Sequence, residues 1–191
     1  MDKRIIKTKR TIKQTFIALL QKKPFEKITV TDLCEAGCIS RITFYTHYED
    51  KYALVDEMMS DYVAEAMDDY HTLQQENNPQ NLPLQGYINM LTAILNLYFY
   101  HYEFYSHAEI NSNPFLYSAF YQSVFQSIYR YIQRHKTGMQ PKYSIRKTVI
   151  LLCNGFWGLI SDCMYEETDI EKAKAQIVSM FQDVLSSNLF I

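Results

Sequence analysis

The side chains best suited to recognising another molecule lie between residues 29 and 51, in the stretch TVTDLCEAGCISRITFYTHYEDK. Its pattern predicts a short helix that opens at Thr29, a tight turn, and a second short helix of about Arg41 to Thr46 that Ser40 caps. Two helices joined by such a turn form a frame that can place the second helix in the major groove of DNA.

The second of these helices carries side chains that suit contacts with DNA. Arginine can bind guanine through two hydrogen bonds, and a threonine methyl can contact the methyl of thymine. Polar and cationic side chains that follow such a helix suit the flanking phosphates, which set register rather than sequence preference. The residues concerned are Ser40, Arg41 and Thr43 for the bases and Tyr45, His47 and Lys51 for the phosphates.

The charge of the chain is distributed unevenly. Residues 1–51 contain 11 Lys and Arg against 6 Asp and Glu, whereas residues 52–191 contain 8 against 15, so the formal net charge of −2 conceals a basic N-terminal segment. A basic segment favours a polyanionic partner. Chance clustering of surface lysines would give the same counts, and charge alone leaves both interpretations open.

The run Thr43-Phe44-Tyr45-Thr46-His47-Tyr48-Glu49-Asp50-Lys51, with its lead-ins Phe25-Glu26-Lys27 and Ile28-Thr29-Val30-Thr31-Asp32-Leu33, resembles the motif of the TetR family of transcription regulators. The close match covers about 55 residues in the right helical context, which is far more specific than a short motif alone. The resemblance implies a DNA-binding regulator that acts as a homodimer on double-stranded operator DNA, by default a repressor that a small-molecule effector releases.

The resemblance also implies roles for individual positions. Thr31 would contact phosphate, Phe44 and Tyr48 would pack into the core of the small N-terminal domain, and the base and phosphate contacts would come from the six residues already named. Two positions depart from the family pattern. Cys38 lies in the turn where the family often has glycine, and Ile42 stands where a small residue is common; Ile42 would touch a thymine methyl or only pack.

Apolar residues recur at spacings of three and four along the whole chain, which predicts an all-α fold of about nine helices. We expect a helix-turn-helix DNA-binding domain at residues 1–50 and an effector-binding and dimerisation domain at 51–191. The helices expected with the clearest limits are those at residues 7–21, 51–73 with Asp50 as cap, 114–135 with Pro114 in the first turn, 144–166 and 169–187, and a polar loop is expected at 75–83.

The last two helices are the dimerisation candidates, because they are long and apolar on more than one face. Gly155 and Gly158 each lower helix propensity by about 1 kcal/mol relative to alanine, which makes sense where another helix approaches closely. An ordinary buried core helix would also explain the apolar surroundings. The contact residues expected are Phe156, Leu159, Ile177 and Phe181.

The region between residues 98 and 131 is unusually rich in aromatic residues. Aromatic side chains can line an apolar pocket for an apolar or aromatic effector, but they also simply fill protein cores. The lining expected from face and position is Leu91, Leu95, Tyr98, Phe120, Phe125 and Trp157.

Several other classes of function find no support in the residues. No nucleophile–base pair, glycine-rich phosphate loop or metal cluster is recognisable, so we expect no enzyme activity, no cofactor and no metal. The four cysteines are expected to be small buried hydrophobes, and the pair Cys34 and Cys38 has no zinc-site spacing. No apolar run could cross a membrane or serve as a signal peptide, which predicts a cytoplasmic protein. The alternative function is a co-regulator of the same fold that acts by protein–protein contact without operator binding.

Overall fold

The computed structural model describes residues 3–108, 111–135, 138–165 and 169–190. Within these ranges the chain forms nine α-helices, one 3₁₀ turn and no strand, which confirms the predicted all-α fold. The helices are α1 (Lys3–Leu20), α2 (Val30–Ala36), α3 (Arg41–His47), α4 (Lys51–Asn77), α5 (Pro83–Tyr100), α6 (Tyr102–Tyr105), α7 (Pro114–Arg134), α8 (Ile145–Tyr165) and α9 (Ile170–Leu185), and the 3₁₀ turn is Phe25–Lys27.

Helix α4 is longer than predicted, because it continues through the polar residues that were expected to begin a loop. Polarity alone does not end a helix; a proline does, and Pro79 follows closely. The buried Asn78 organises the turn after the helix: its Oδ1 accepts a hydrogen bond from the Leu82 amide at 2.7 Å, and its Nδ2 donates to the Gln74 side chain at 3.1 Å. The loop is therefore about one helical turn shorter than the sequence suggested.

Capping bonds confirm the predicted starts of α2, α3 and α4, whereas α1 begins four residues before its predicted start. The Thr29 hydroxyl accepts from the Asp32 amide while the Asp32 carboxylate accepts from the Thr29 amide, a reciprocal capping box. Ser40 accepts from the Thr43 amide at 3.0 Å, and Asp50 accepts from two amides in the first turn of α4. Hydrogen bonds to Asp32 from Lys23 and from Thr29 lower the pKa of the Asp32 carboxyl to about 2.

The structure divides into two compact units. The first unit comprises residues 1–62 and 101–120, and the second comprises residues 63–100 and 121–191. The first unit is centred on a cluster of buried phenylalanines, in which the Phe16 ring lies 6.0 Å from that of Phe25 and 6.3 Å from that of Phe104. The Phe25 amide also donates to the buried Asn113 side chain at 2.6 Å, so residues from 101–120 complete this core. The predicted domain boundary after residue 50 stays a prediction.

In the second unit, α5 is the central helix and buries most of its length. It packs against α9, and α9 also packs against α8, where the Phe156 and Phe181 rings lie 6.2 Å apart. The C-terminal Phe190 closes this unit by packing 5.4 Å from the Tyr87 ring of α5.

Within the first unit, Glu57 of α4 joins α4 to α1 through an ionic cluster. Its carboxylate pairs with Lys9 and, at 2.7 Å, with Lys13, and it accepts a hydrogen bond from the Tyr48 hydroxyl at 2.9 Å. Burial raises the pKa of Glu57, but the bonds from Lys13, Lys9 and Tyr48 outweigh it and lower that pKa from its ordinary 4.5 to about 2. The same burial, together with Glu57, raises the pKa of Tyr48.

The depressed pKa of Glu57 predicts how stability depends on pH. The cluster stabilises the fold fully above the unfolded-state pKa, and this contribution is lost as pH falls from about 5 towards about 2. We expect Glu57→Gln to be less stable than wild type at neutral pH, with the difference shrinking towards pH 2. Urea midpoints measured across this range test the expectation. Glu49→Gln, a change at an exposed site, is the control. A difference in stability between Glu57→Gln and wild type that stays constant across this pH range would contradict the expectation.

Candidate nucleic-acid interface

Helix α3 presents one face outward and is anchored by the other. Phe44 is fully buried and Tyr48, just after the helix, is 4% exposed, which confirms that both pack into the core. Ile42, by contrast, is 81% exposed and Tyr45 is 56% exposed, so Ile42 does not pack within this chain. The face that carries Ser40, Arg41, Ile42, Tyr45 and Thr46 is exposed, as a helix that reads DNA requires.

The turn between α2 and α3 contains two small residues, Gly37 and Cys38, with different backbone conformations. Gly37 has an ordinary φ of −86°, but an added Cβ would lie 2.9 Å from the Leu33 carbonyl oxygen, so glycine is required there by close packing. The left-handed residue is Cys38, with φ of 51°, at a cost of about 1–2 kcal/mol for a residue with a Cβ. Cys38 is also exposed, which corrects the expectation that all four cysteines are buried; Cys34 and Cys153 are buried and Cys163 is half-buried.

The predicted base-contacting residues bond to one another and to the backbone. An Arg41 guanidinium nitrogen donates to the Thr31 hydroxyl, which brings the first turn of α2 next to the start of α3. The Ser40 and Thr43 hydroxyls lie 2.8 Å apart, and the Ser40 oxygen also caps the helix. Ser40 therefore positions α3, whereas the guanidinium of Arg41 keeps further donors for an outside partner.

Tyr45 and His47 lie in the last turn of α3. The Tyr45 ring packs edge-on against Phe44, with 5.6 Å between the ring centroids, and leaves most of its surface exposed. His47 is half-buried in the last turn of the helix. Both positions are compatible with the predicted phosphate contacts, which stay a prediction.

Lys51 is held in place by the chain itself. Its ammonium donates to the carbonyl oxygens of Phe25 at 2.8 Å, Glu26 at 3.1 Å and Ile28 at 2.9 Å, and it lies 4.4 Å from the centre of the Phe25 ring. An ammonium has three donors, and here all three are used. Burial lowers the pKa of Lys51, against the effect of the nearby Glu26 carboxylate. Lys51 thus joins the start of α4 to the 3₁₀ turn that leads into α2.

The basic excess of residues 1–51 is only partly neutralised within the first unit. Lys9, Lys13 and Lys23 pair with carboxylates of Glu57, Asp61 and Asp32. Other cations are exposed, and the sequence reasoning named none of them although the charge count pointed to them. They are Lys3, Lys7 and Arg10 of α1, with Lys22 and Lys27 beyond it.

The structure places the residues predicted to line an effector pocket in several different surroundings, and this lining stays a prediction. Tyr98 and Trp157 pack edge to face at 6.3 Å in the second unit, whereas Phe120 packs 4.5 Å from Tyr105 in the first. Leu95 is fully buried, and the ring of Phe125 stacks 6.4 Å from that of Tyr121. Leu91 borders an apolar cavity of only about 30 Å³.

Two larger cavities in the second unit have linings that the sequence reasoning did not name. One of about 520 Å³ is bordered by α4, α5 and the start of α9 and includes Glu65, Asp69 and Lys174. The other, of about 390 Å³, is bordered largely by α4 and α7. The sequence signal that could have indicated the second of these cavities is the pair Arg130 and Arg134, which stand one helical turn apart in a helix rich in aromatic residues.

The predicted dimer-contact residues lie inside the second unit. Phe156, Ile177 and Phe181 are buried and Leu159 is half-buried. The exposed surface of α8 and α9 includes other apolar or small residues, beside polar and charged ones; the apolar or small ones are Ile150, Leu151, Gly155, Gly158, Met180 and Val184.

Within the described ranges, no three His, Cys, Asp or Glu side chains gather in a way that could hold a metal ion. No helix in the same part of the chain is long and apolar enough to cross a membrane.

The first unit thus defines a class: a helix-turn-helix module whose second helix is anchored by aromatic residues and exposed on its outer face. No protein-family model matches the chain. Over 69 residues it is 32% identical to YxbF, an uncharacterized HTH-type transcriptional regulator of Bacillus subtilis, an alignment that covers 36% of this chain. The chain matches only 18% of that regulator's length.

Solved structures resemble the fold over nearly the whole chain. A TetR-family transcriptional regulator from Syntrophomonas wolfei has a TM-score of 0.78 at 10% identity, covering 96% of this chain and 97% of its own. A TetR transcriptional regulator from Streptococcus agalactiae has a TM-score of 0.62 at 21% identity, covering 94% and 96%. The chain therefore has the fold of TetR-family transcription regulators.

The bonds of Lys51 generate a prediction about its role. We expect Lys51→Met to lower the free energy of unfolding by about 2 kcal/mol, because three carbonyl groups lose a charged donor. The salt dependence of duplex binding should keep its slope, since no phosphate contact is lost.

Chemical denaturation and duplex titrations over a salt series measure the two quantities, with Lys27→Met as a control at an exposed lysine nearby. A fully stable Lys51→Met whose salt slope is shallower by about one unit would instead support the phosphate contact that the family resemblance implies.

Proposed function

We propose that this chain is a TetR-family transcription regulator that binds operator DNA as a homodimer through α3. The observation that carries the proposal is the outward face of a short helix that is capped by Ser40 and anchored by Phe44 and Tyr48. Such a helix has the form that enters the major groove, and the basic excess of residues 1–51 suits the phosphate backbone.

Contacts with the bases would come chiefly from Arg41, Thr43 and Ile42. Arg41 can donate two parallel hydrogen bonds to guanine, for which its bond to Thr31 would be exchanged or kept alongside. Ile42, which is 81% exposed, offers an apolar surface to a thymine methyl. Thr31, Tyr45 and His47 remain proposed phosphate contacts, as do the exposed cations of α1.

Dimerisation is proposed for the exposed surface of α8 and α9. Two reading helices must lie about 34 Å apart to enter successive major grooves, which one copy of this chain cannot supply. An added Cβ at Gly158 would meet nothing within 4 Å, and one at Gly155 would meet only Phe181, so the backbone of α8 is open to close approach here. Leu151, Met180 and Val184 supply apolar area around this opening, while the buried Phe156, Ile177 and Phe181 support it from within.

The proposed regulation is a shift between two states of the dimer. One state holds the reading helices at operator spacing, and an effector that binds the other state more tightly lowers affinity for DNA. Helix α4 contributes residues to both units, which makes it the proposed connection. Repression that the effector relieves is the mode that the family resemblance implies, and the cytoplasm is the proposed location.

A second candidate function is co-regulation by protein contact without operator binding. The large apolar exposure of Ile42 and the exposed ring of Tyr45 favour it, because exposed apolar side chains also suit protein partners. Selection of bound duplexes from a random pool separates the two functions. Enrichment of a two-fold symmetric site supports operator binding, and absence of any enrichment supports the alternative.

We expect Arg41→Ala to relax sequence preference at one base pair in each half-site, at a cost of about 1–3 kcal/mol for the preferred operator. The measurement is the same duplex selection, followed by titration of the preferred and relaxed sequences. Arg10→Ala removes an equal charge away from α3 and should leave the preference unchanged. An unchanged preference in Arg41→Ala would exclude Arg41 as a reader.

We expect Leu151→Glu to convert the dimer to a monomer and abolish tight operator binding, because it places a charge in the proposed apolar contact. Sedimentation velocity measures the oligomeric state. Leu82→Glu is the matched control, since Leu82 is 55% exposed and Leu151 is 57% exposed. A Leu151→Glu variant that remains a folded dimer would place the interface elsewhere.

A further inference from the structure

The second unit contains a cavity whose charge differs from that of the chain around it. Its volume is about 390 Å³, within the range of sites that bind small molecules. The polar and cationic part of its lining comes from α4, from the loop that follows α4 and from the end of α7 with the next residue, and no Asp or Glu is among the described residues that line it. The side chains that the argument uses are His71, Arg130, Arg134 and His135, with Tyr70 and Tyr131 beneath them.

Arg130 and Arg134 give this cavity its charge. They stand four residues apart on α7, so their side chains project from the same face of the helix. Among the described residues, neither forms an ion pair with a carboxylate. Two neighbouring guanidinium groups repel each other, and an anion between them would replace repulsion with charge-assisted hydrogen bonds. A guanidinium binds a carboxylate or a phosphate through two parallel bonds, which suits either group.

The aromatic floor of the cavity is fixed by its neighbours. Tyr131 packs edge to face against Tyr70 at 5.8 Å and Tyr87 at 5.1 Å, and the His135 ring stacks on it at 4.2 Å. The His135 Nδ1 lies 2.9 Å from the Tyr131 carbonyl oxygen, which holds the imidazole in this stack. An added Cβ at Gly86 would lie 2.1 Å from the Tyr131 hydroxyl, so glycine makes room for this tyrosine. The floor is therefore formed before any ligand arrives.

The apolar alternative in the same unit is far smaller. The cavity that Leu91 borders has a volume of about 30 Å³, which is room for about one water molecule. An uncharged apolar effector of ordinary size would have to open it. Volume therefore favours the cationic cavity over this apolar one, whereas the larger cavity of about 520 Å³ includes the carboxylates of Glu65 and Asp69 and has no pair of arginines among the described residues that line it.

We propose that this cavity binds a small organic anion. A carboxylate or phosphate group lies between Arg130 and Arg134, and the apolar or aromatic remainder of the molecule lies against Tyr70 and Tyr131. The regulatory consequence, that the anion changes affinity for DNA, rests on the proposed function, whereas binding of the anion does not.

The test uses the full chain without DNA, and titration calorimetry with four probes: phenylacetate, phenyl phosphate, the neutral 2-phenylethanol and inorganic phosphate. We expect at least one of the two aromatic anions to bind at least about ten-fold more tightly than the alcohol and than inorganic phosphate. The double variant Arg130→Gln, Arg134→Gln should bind that anion at least about ten-fold more weakly, because the variant loses both charged donors. The paired control Arg146→Gln, Lys147→Gln removes the same charge from exposed positions of α8 and should bind as wild type does.

Thermal unfolding without probe verifies that both double variants are folded. Absence of binding by both aromatic anions, equal binding of the anions and the alcohol, or equal losses in the two double variants would each overturn the site. Inorganic phosphate binding as tightly as phenyl phosphate would overturn the assignment to an organic anion. Repeating a duplex titration with the bound probe tests regulation separately: an unchanged duplex affinity would overturn the regulatory consequence, and failure of all duplex binding would contradict the proposed function while calorimetry still decides the site.

Discussion

Helix α3 depends on burial of one aromatic side chain. Helix α3 spans seven residues, and a helix of this length is not stable in water on its own. Its shape is therefore imposed by Phe44, which is fully buried, and by the Ser40 cap at its start. Because these two groups lie on the inner side and at the end of the helix, its outer face is left to side chains that contribute little to folding. The exposed Ile42 and Tyr45 are consistent with such a division, since folding alone would not place them in water.

A second constraint fixes the elements on either side of α3. The bonds of Lys51 to three carbonyls join α4 to the 3₁₀ turn, and the capping box at Thr29 then sets the first turn of α2. Glu57 adds the connection to α1 through Lys9 and Lys13. Charged groups here hold helix ends and loop carbonyls as well as one another. That arrangement explains why a strongly basic segment can fold compactly while several of its cations remain at the surface.

The sequence was informative where the controlling interaction is local. Caps such as Thr29, Ser40 and Asp50 act within three residues, so their positions could be predicted and were confirmed. Faces that depend on the partner element could not be predicted in the same way. Periodicity shows that Phe181 lies on the apolar side of α9. Whether that side meets α8 of the same copy or a helix of another copy depends on packing. The lining of a pocket could not be predicted for the same reason, because aromatic residues fill cores and line cavities with equal ease.

Three helical glycines show most clearly what the sequence alone could not predict, since each lowers helix propensity by about the same amount. Gly86 is explained within the chain, because the Tyr131 hydroxyl occupies the space of its missing Cβ. Gly155 and Gly158 have no such occupant beyond a distant Phe181 ring atom, and both lie on the exposed side of α8. A cost that nothing in one copy offsets points to a contact outside that copy. The open surface beside Leu151 thus suits the proposed contact with a second helix from a partner chain.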